Sequence, residues 1–177
     1  MTPSKSHLLL IPSYNPGNLV ISTVQDALAH WQPVWVVSDG SDDGSTEALQ
    51  KLADNTPDLK IIALPQNQGK GSAIMAGLHQ ATHEGFTHVL TMDADGQHPA
   101  HLIPLFMQTS IQNPDAMILG KPVFDDNAPQ LRVQGRKISN FLANLDTLWT
   151  GIGDSLYGFR VYPAHPLLNI MQEHRYM

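Results

Sequence analysis

Asp93-Ala94-Asp95 sets two carboxylates two positions apart, directly after an apolar run over residues 87–92. Residues two apart on an extended segment point the same way. Neighbouring carboxylates repel, and both stay ionised most easily with a cation between them. Gly96 permits a sharp turn, so Gln97 and His98 can face the same point. Carboxylate, amide and phosphate oxygens suit a hard divalent cation such as Mg2+ or Mn2+. An acidic turn would explain a bare Asp-x-Asp. The position after an apolar strand, with three more polar loops that also follow strands, favours the metal.

Asp39 ends a second apolar run, and a carboxylate there can accept hydrogen bonds from a base N–H or from ribose hydroxyls. Asp42, Asp43 and Ser45 suit a turn and helix cap. Gly69-Lys70-Gly71 opens a helix, where backbone amides and the Lys70 ammonium can approach a phosphate or a base. The same three residues also read as a Gly-rich loop with a solvated lysine, and they do not match the P-loop spacing. His79 and His83 lie four apart on one helix but lack a third ligand nearby, so they read as a solvated face. His98 is a candidate phosphate or metal contact, whereas His101 reads as surface. Arg132, Arg136 and Lys137 form a basic cluster that suits an anionic acceptor or a membrane surface, or simply a solvated helix start.

The elements that must position these residues alternate regularly. Strands are predicted over 7–12, 34–37, 60–64 and 87–92. Between them lie a helix capped by Asn15 with Pro16 at its first position, a helix containing residues 46–52, and a helix over 72–83. Such alternation implies an α/β fold, a Rossmann-like, mostly parallel sheet with helices on both faces. Ligands of such sheets bind beyond the carboxyl ends of the strands. Every polar cluster of interest sits there: Pro12-Ser13-Tyr14-Asn15, residues 38–45, residues 67–71 and residues 93–99. Farther on, residues 116–120 and 157–162 read as strands. Ile138, Phe141, Leu142, Leu145 and Leu148 form a helical stripe, and Pro163 and Pro166 are expected to bracket a turn.

The 177 residues suit one domain, with 1–98 as a nucleotide-binding half and 99–177 as an acceptor half. The chain has no cysteine, which excludes thiol catalysis, disulfides and cysteine-held metals. A net charge of −6 argues against nucleic acid as a partner. No apolar run reaches membrane-spanning length. The expected location is cytoplasmic, with peripheral contact at the inner face of the membrane.

The ordered loops resemble glycosyltransferase family 2 of the GT-A fold. Pro12-Ser13-Tyr14-Asn15 is similar to that family's opening Pro-x-Tyr-Asn, and Ser38-Asp39-Gly40-Ser41 to its Asp-Asp-Gly-Ser, with Ser38 in place of the first Asp. Asn67-Gln68-Gly69-Lys70-Gly71, Asp93-Ala94-Asp95-Gly96-Gln97-His98 and residues 154–163 resemble the dolichyl-phosphate mannose synthase-like branch. Residues 120–124 and Gly135-Arg136-Lys137 are similar to bacterial members of lipid-like and aryl-polyene pathways. The resemblance implies that Pro12, Tyr14, Asn15 and Asp39 surround the nucleoside, with Lys70 near the nucleotide. It implies Asp93 at the ribose and the metal, Asp95 as a direct metal ligand and Gln97 as a further one. It places Asp154 and Gly158-Phe159-Arg160 on the acceptor side. Relatives continue past the stretch like Arg175-Tyr176-Met177, so a C-terminal truncation is expected.

The implied reaction is metal-dependent, inverting transfer of a sugar from a nucleoside-diphosphate sugar to a polyprenyl phosphate or other lipid-like acceptor. A hydroxyl acceptor would need a base, for which Asp154 is the candidate. A sugar nucleotidyltransferase would share the architecture but should carry a Gly-rich basic loop after the first strand. A non-catalytic nucleotide-binding module would keep the donor loops alone.

Overall fold

The computed structural model describes residues 2–120 and 158–173. Four consecutive aliphatic residues, Leu8-Leu9-Leu10-Ile11, are fully buried in β1 (His7–Ser13). Side chains alternate across a strand, so Leu9 and Ile11 enter one core while Leu8 and Leu10 enter another. β2 (Val34–Asp39) divides the same way, with Val34 and Val36 in the first core and Trp35 and Val37 in the second. A strand that is apolar at every position belongs in the middle of a sheet covered on both faces. Full burial of each such side chain contributes about 1.5–3 kcal/mol.

The sheet order is β3-β2-β1-β4-β6-β5, with β3 at Leu59–Leu64, β4 at His88–Thr91, β5 at Ile118–Leu119 and β6 at Arg160–Pro163. The pairs β3–β2, β2–β1 and β1–β4 are parallel. β6 runs antiparallel to both β4 and β5. Helices α1 (Leu19–His30), α2 (Ser45–Ala53) and α4 (Ile103–Gln112) cover the first face through Val24, Leu49, Ile103 and Met107. α3 (Lys70–His83) and α5 (Ala164–Glu173) cover the other through Ala73, Leu78, Ala81, Ala164 and Leu168. The mostly parallel, two-sided α/β sheet read from the sequence is therefore the observed architecture. Among the described residues no helix is long and apolar enough to cross a membrane.

Two local expectations change. α1 begins at Leu19 after Asn18, not at Pro16. Asn15 instead takes a left-handed φ of 45°, a conformation that asparagine tolerates better than most residues, and its side chain turns to a neighbouring loop. Pro163 and Pro166 do not bracket a turn: α5 starts at Ala164 and takes Pro166 into its first turn. The N–H groups of a first helical turn have no intrahelical acceptor, so a proline there removes nothing. The stripe from Ile138 to Leu148 lies outside the described residues.

Candidate active site

The carboxyl ends of β1, β2, β3 and β4 share one edge of the sheet. The loops beyond them enclose a cleft of about 500 Å3 whose lining includes Pro12, Ser13, Tyr14, Asp39, Lys70 and both Asp93 and Asp95. Pro12 and Ser13 are buried at the floor, while the Tyr14 ring is 53% exposed at the mouth. Ser13 is among the lining residues, and its hydroxyl is buried with no hydrogen-bond partner among the described residues. A buried polar group without a partner is costly, so this hydroxyl suits a polar group of a bound molecule. The sequence signal for Ser13 was its place between Pro12 and Tyr14 at a strand end.

Hydrogen bonds between loops hold the rim. The Asn15 amide donates to Asp42 Oδ1 at 2.8 Å and its oxygen accepts the Asp42 N–H at 2.9 Å. Gly17 N–H donates to Asp43 at 2.7 Å. The Ser45 hydroxyl and the Gly17 N–H hold the Asp43 carboxyl below the usual carboxylate range. Asn15 is thus committed to the second loop and is not among the residues lining the cleft. Asp39 is 2% exposed, and its two oxygens accept the N–H groups of Gln68 at 2.9 Å and Gly69 at 2.8 Å. This carboxylate fixes the loop that carries Lys70. Gly40 completes the junction. Its φ is +66°, and a Cβ there would lie 2.4 Å from the carbonyl carbon of Gln66.

Asp93 stands at the centre of the charged cluster. The Lys70 ammonium pairs with its Oδ1, and His98 Nε2 lies 3.3 Å from its Oδ2. Burial pushes the carboxyl up, but hydrogen bonds from His98 and Lys70 together with their charges outweigh it and hold it at about 2. The His98 ring is buried and stacks on Phe159 with centroids 5.3 Å apart. His98 therefore touches the carboxylate from within the protein. Asp95 is exposed, and its Oδ1 accepts the Gln97 N–H at 3.0 Å, while the Gln97 side chain belongs to an exposed residue on the same turn. Thr23 Oγ1 donates to the Ala94 carbonyl at 3.3 Å, tying the turn to α1. Among the described residues no three His, Cys, Asp or Glu side chains form a closed cage for a metal. Two carboxylates on an open turn fit a cation that keeps positions for water and substrate phosphate. His79 and His83 are exposed on α3, and His101 is exposed as well.

The residues assigned by resemblance to the acceptor side divide. Gly158 abuts Asp93: a Cβ on it would lie 2.6 Å from Asp93 Oδ1. Arg160 lies in β6 opposite Thr91, partly buried. Phe159 is 1% exposed in the first core, against His98 and edge-on to Phe106 at 4.6 Å. Thr91 was not singled out by sequence. Its buried hydroxyl donates to the Gly158 carbonyl at 2.7 Å, and its only signal was a hydroxyl ending an apolar strand. Asp154, Arg132 and Arg136 lie outside the described residues.

Residues 9–168 match the model of Glycosyl transferase family 2. The chain belongs to this family. Membership of a glycosyl transferase family favours sugar transfer over the nucleotidyltransferase reading that the architecture also allowed. It is 26% identical over 183 aligned positions to the UDP-N-acetylglucosamine–dolichyl-phosphate N-acetylglucosaminyltransferase of Methanococcus voltae, covering 94% of this chain and 73% of that protein. It is 34% identical over 123 positions to the undecaprenyl-phosphate 4-deoxy-4-formamido-L-arabinose transferase of Yersinia pestis, covering 65% of this chain but 36% of that one. Among solved structures it resembles a mannosyltransferase from Pyrobaculum calidifontis in complex with GDP-Man and Mn2+, with a TM-score of 0.58 at 21% identity, over 70% of this chain and 36% of that one. That likeness shows the fold, which is GT-A.

Proposed function

We propose that the cleft holds a nucleoside-diphosphate sugar through a divalent cation at Asp93 and Asp95, and that the sugar passes with inversion to a polyprenyl phosphate. The observation that carries this reading is that Asp93, Asp95 and Lys70 line the same cleft as the Pro12-Ser13-Tyr14 segment. Charged groups for a diphosphate thus share one cleft with a mixed apolar and polar surface for a nucleoside. A cation bound there, Mg2+ or Mn2+, would act as a Lewis acid on the departing diphosphate.

The chain's own residues divide the remaining work. Asp95 is exposed and offers a carboxylate oxygen to the cation, and the Gln97 side chain is a further ligand candidate. Lys70 pairs with Asp93 in the cleft, from where its ammonium can turn to a phosphate oxygen. Ser13 offers its hydroxyl and Tyr14 its exposed ring to the nucleoside. Asp39 keeps the Lys70 loop in place. Asp154, Arg132, Arg136 and Arg160 are proposed for the acceptor side. Relatives named for dolichyl-phosphate and undecaprenyl-phosphate support a lipid phosphate as the acceptor. A phosphate monoester is largely ionised near neutral pH, so such an acceptor needs little help from a base. Enzyme and acceptor would then meet at the cytoplasmic face of a membrane.

The test is isothermal calorimetry of this chain with UDP, GDP and dTDP, with and without Mn2+. Binding of one of them, strengthened by Mn2+, is expected. Metal-independent binding of all three alike, or of none, would overturn the donor assignment.

A further inference from the structure

Gly158 carries no side chain for a reason found in the space around it. Its φ lies outside the left-handed region, so its backbone would accept any L-residue. What excludes a side chain is Asp93. A Cβ at Gly158 would lie 2.6 and 2.7 Å from the two carboxylate oxygens of Asp93 and 2.9 Å from its Cγ, closer than carbon and oxygen approach without overlap.

The Gly158 side of this contact is anchored. The Gly158 carbonyl accepts a 2.7 Å hydrogen bond from Thr91 Oγ1, and Thr91 is 2% exposed. The next residue, Phe159, is 1% exposed and wedged between the rings of His98 and Phe106. Close-packed interiors resist such displacement. Lys70 and His98 in turn hold the two oxygens of the carboxylate that abuts Gly158. Of the two, the carboxylate is the end of a short side chain and can rotate, whereas the backbone is pinned at two points. A methyl group at 158 would therefore move the Asp93 carboxylate.

We propose that Gly158 is a positioning residue for Asp93: its bare backbone, anchored by Thr91 and Phe159, sets where the carboxylate stands. This rests on the reading of Asp93 and Asp95 as the cation site, and it gives Gly158 a role on the donor side of the reaction. Residues that orient a metal ligand without touching the metal commonly change metal affinity about 10–100-fold when altered.

The experiment compares this chain with Gly158→Ala by Mn2+ electron paramagnetic resonance titration in the presence of UDP or GDP. Thermal unfolding without metal accompanies it. Mn2+ binding about tenfold or more weaker in Gly158→Ala, with a cooperative unfolding transition retained, is expected. The metal-free arm is a double-mutant cycle with Asp93→Ala. The loss of Tm caused by Gly158→Ala should largely disappear in the Asp93→Ala background, because the methyl then has room. Equal Tm losses in the two backgrounds would overturn the contact. Unchanged Mn2+ affinity in Gly158→Ala, beside an unsubstituted chain that binds Mn2+ and nucleotide, would overturn the positioning role alone. Absence of Mn2+-dependent binding in the unsubstituted chain would overturn the cation reading, and the positioning role with it.

Discussion

Asp39→Asn should lower stability and nucleotide affinity together. Both oxygens of Asp39 accept backbone N–H groups, at 2.9 Å from Gln68 and 2.8 Å from Gly69, in a residue 2% exposed. Asparagine has one oxygen, so its NH2 must face the second peptide N–H. A hydrogen bond to a charged group contributes about 1.5–3 kcal/mol, and a buried donor left alone costs about 1–3 kcal/mol more. A neutral amide is easier to bury than a carboxylate, which offsets part of that. The net expectation is about 2–3 kcal/mol. For a chain of this length each kcal/mol moves Tm by about 2–4 °C, so a fall of about 4–12 °C should be visible by scanning calorimetry. Lys70 follows Gly69 directly and moves with the loop, so affinity for UDP or GDP should fall with and without Mn2+. If Asp39→Asn keeps the original Tm and yet loses nucleotide, Asp39 reads the nucleoside directly and its bonds to the loop are not what shapes the cleft.

Asp95→Asn should leave Tm nearly unchanged, because Asp95 is exposed and among the described residues is bonded only locally to the Gln97 N–H; exposed substitutions usually stay within about 0.5 kcal/mol. Its Mn2+-dependent nucleotide binding should fall at least about tenfold by calorimetry, and equal binding would remove Asp95 from the cation site. At the far end of the sheet His7 is 3% exposed and stacks on His88 with centroids 4.5 Å apart. Burial, then the neighbouring His88, pushes its pKa from 6.5 down to about 4. The unfolded chain therefore binds the extra proton first. This contribution is complete above pH 6.5 and is lost as pH falls towards 4, by about 3 kcal/mol. Urea unfolding at pH 7 and pH 4.5 should show most of that loss, and His7→Gln should flatten it; an equal slope in the variant would assign the effect elsewhere.

Much of this protein is legible along the chain. The unbroken apolar run at residues 8–11 requires a strand covered on both faces, and the alternation of such runs with helical stripes requires a mostly parallel sheet. From that sheet follows the edge where Pro12, Asp39, Lys70, Asp93 and Asp95 meet, because chain direction alone puts the ends of parallel strands together. What each side chain does at that edge depends on partners distant in sequence. Asn15 looks like a helix cap until Asp42 is beside it. Asp39 looks free of other duties along the chain, yet each of its oxygens also accepts a peptide group 29 or 30 residues away. Phe159 belongs to a segment that resembles the dolichyl-phosphate mannose synthase-like branch, and only the His98 and Phe106 rings put it in the core. Gly158 shows no left-handed backbone that would betray it in a turn, and its need for a bare backbone comes from a carboxylate on another strand's end. Periodicity is a property of neighbours along the chain and can be read there. Hydrogen-bond satisfaction and close approach are properties of neighbours in space, and only the folded structure decides them.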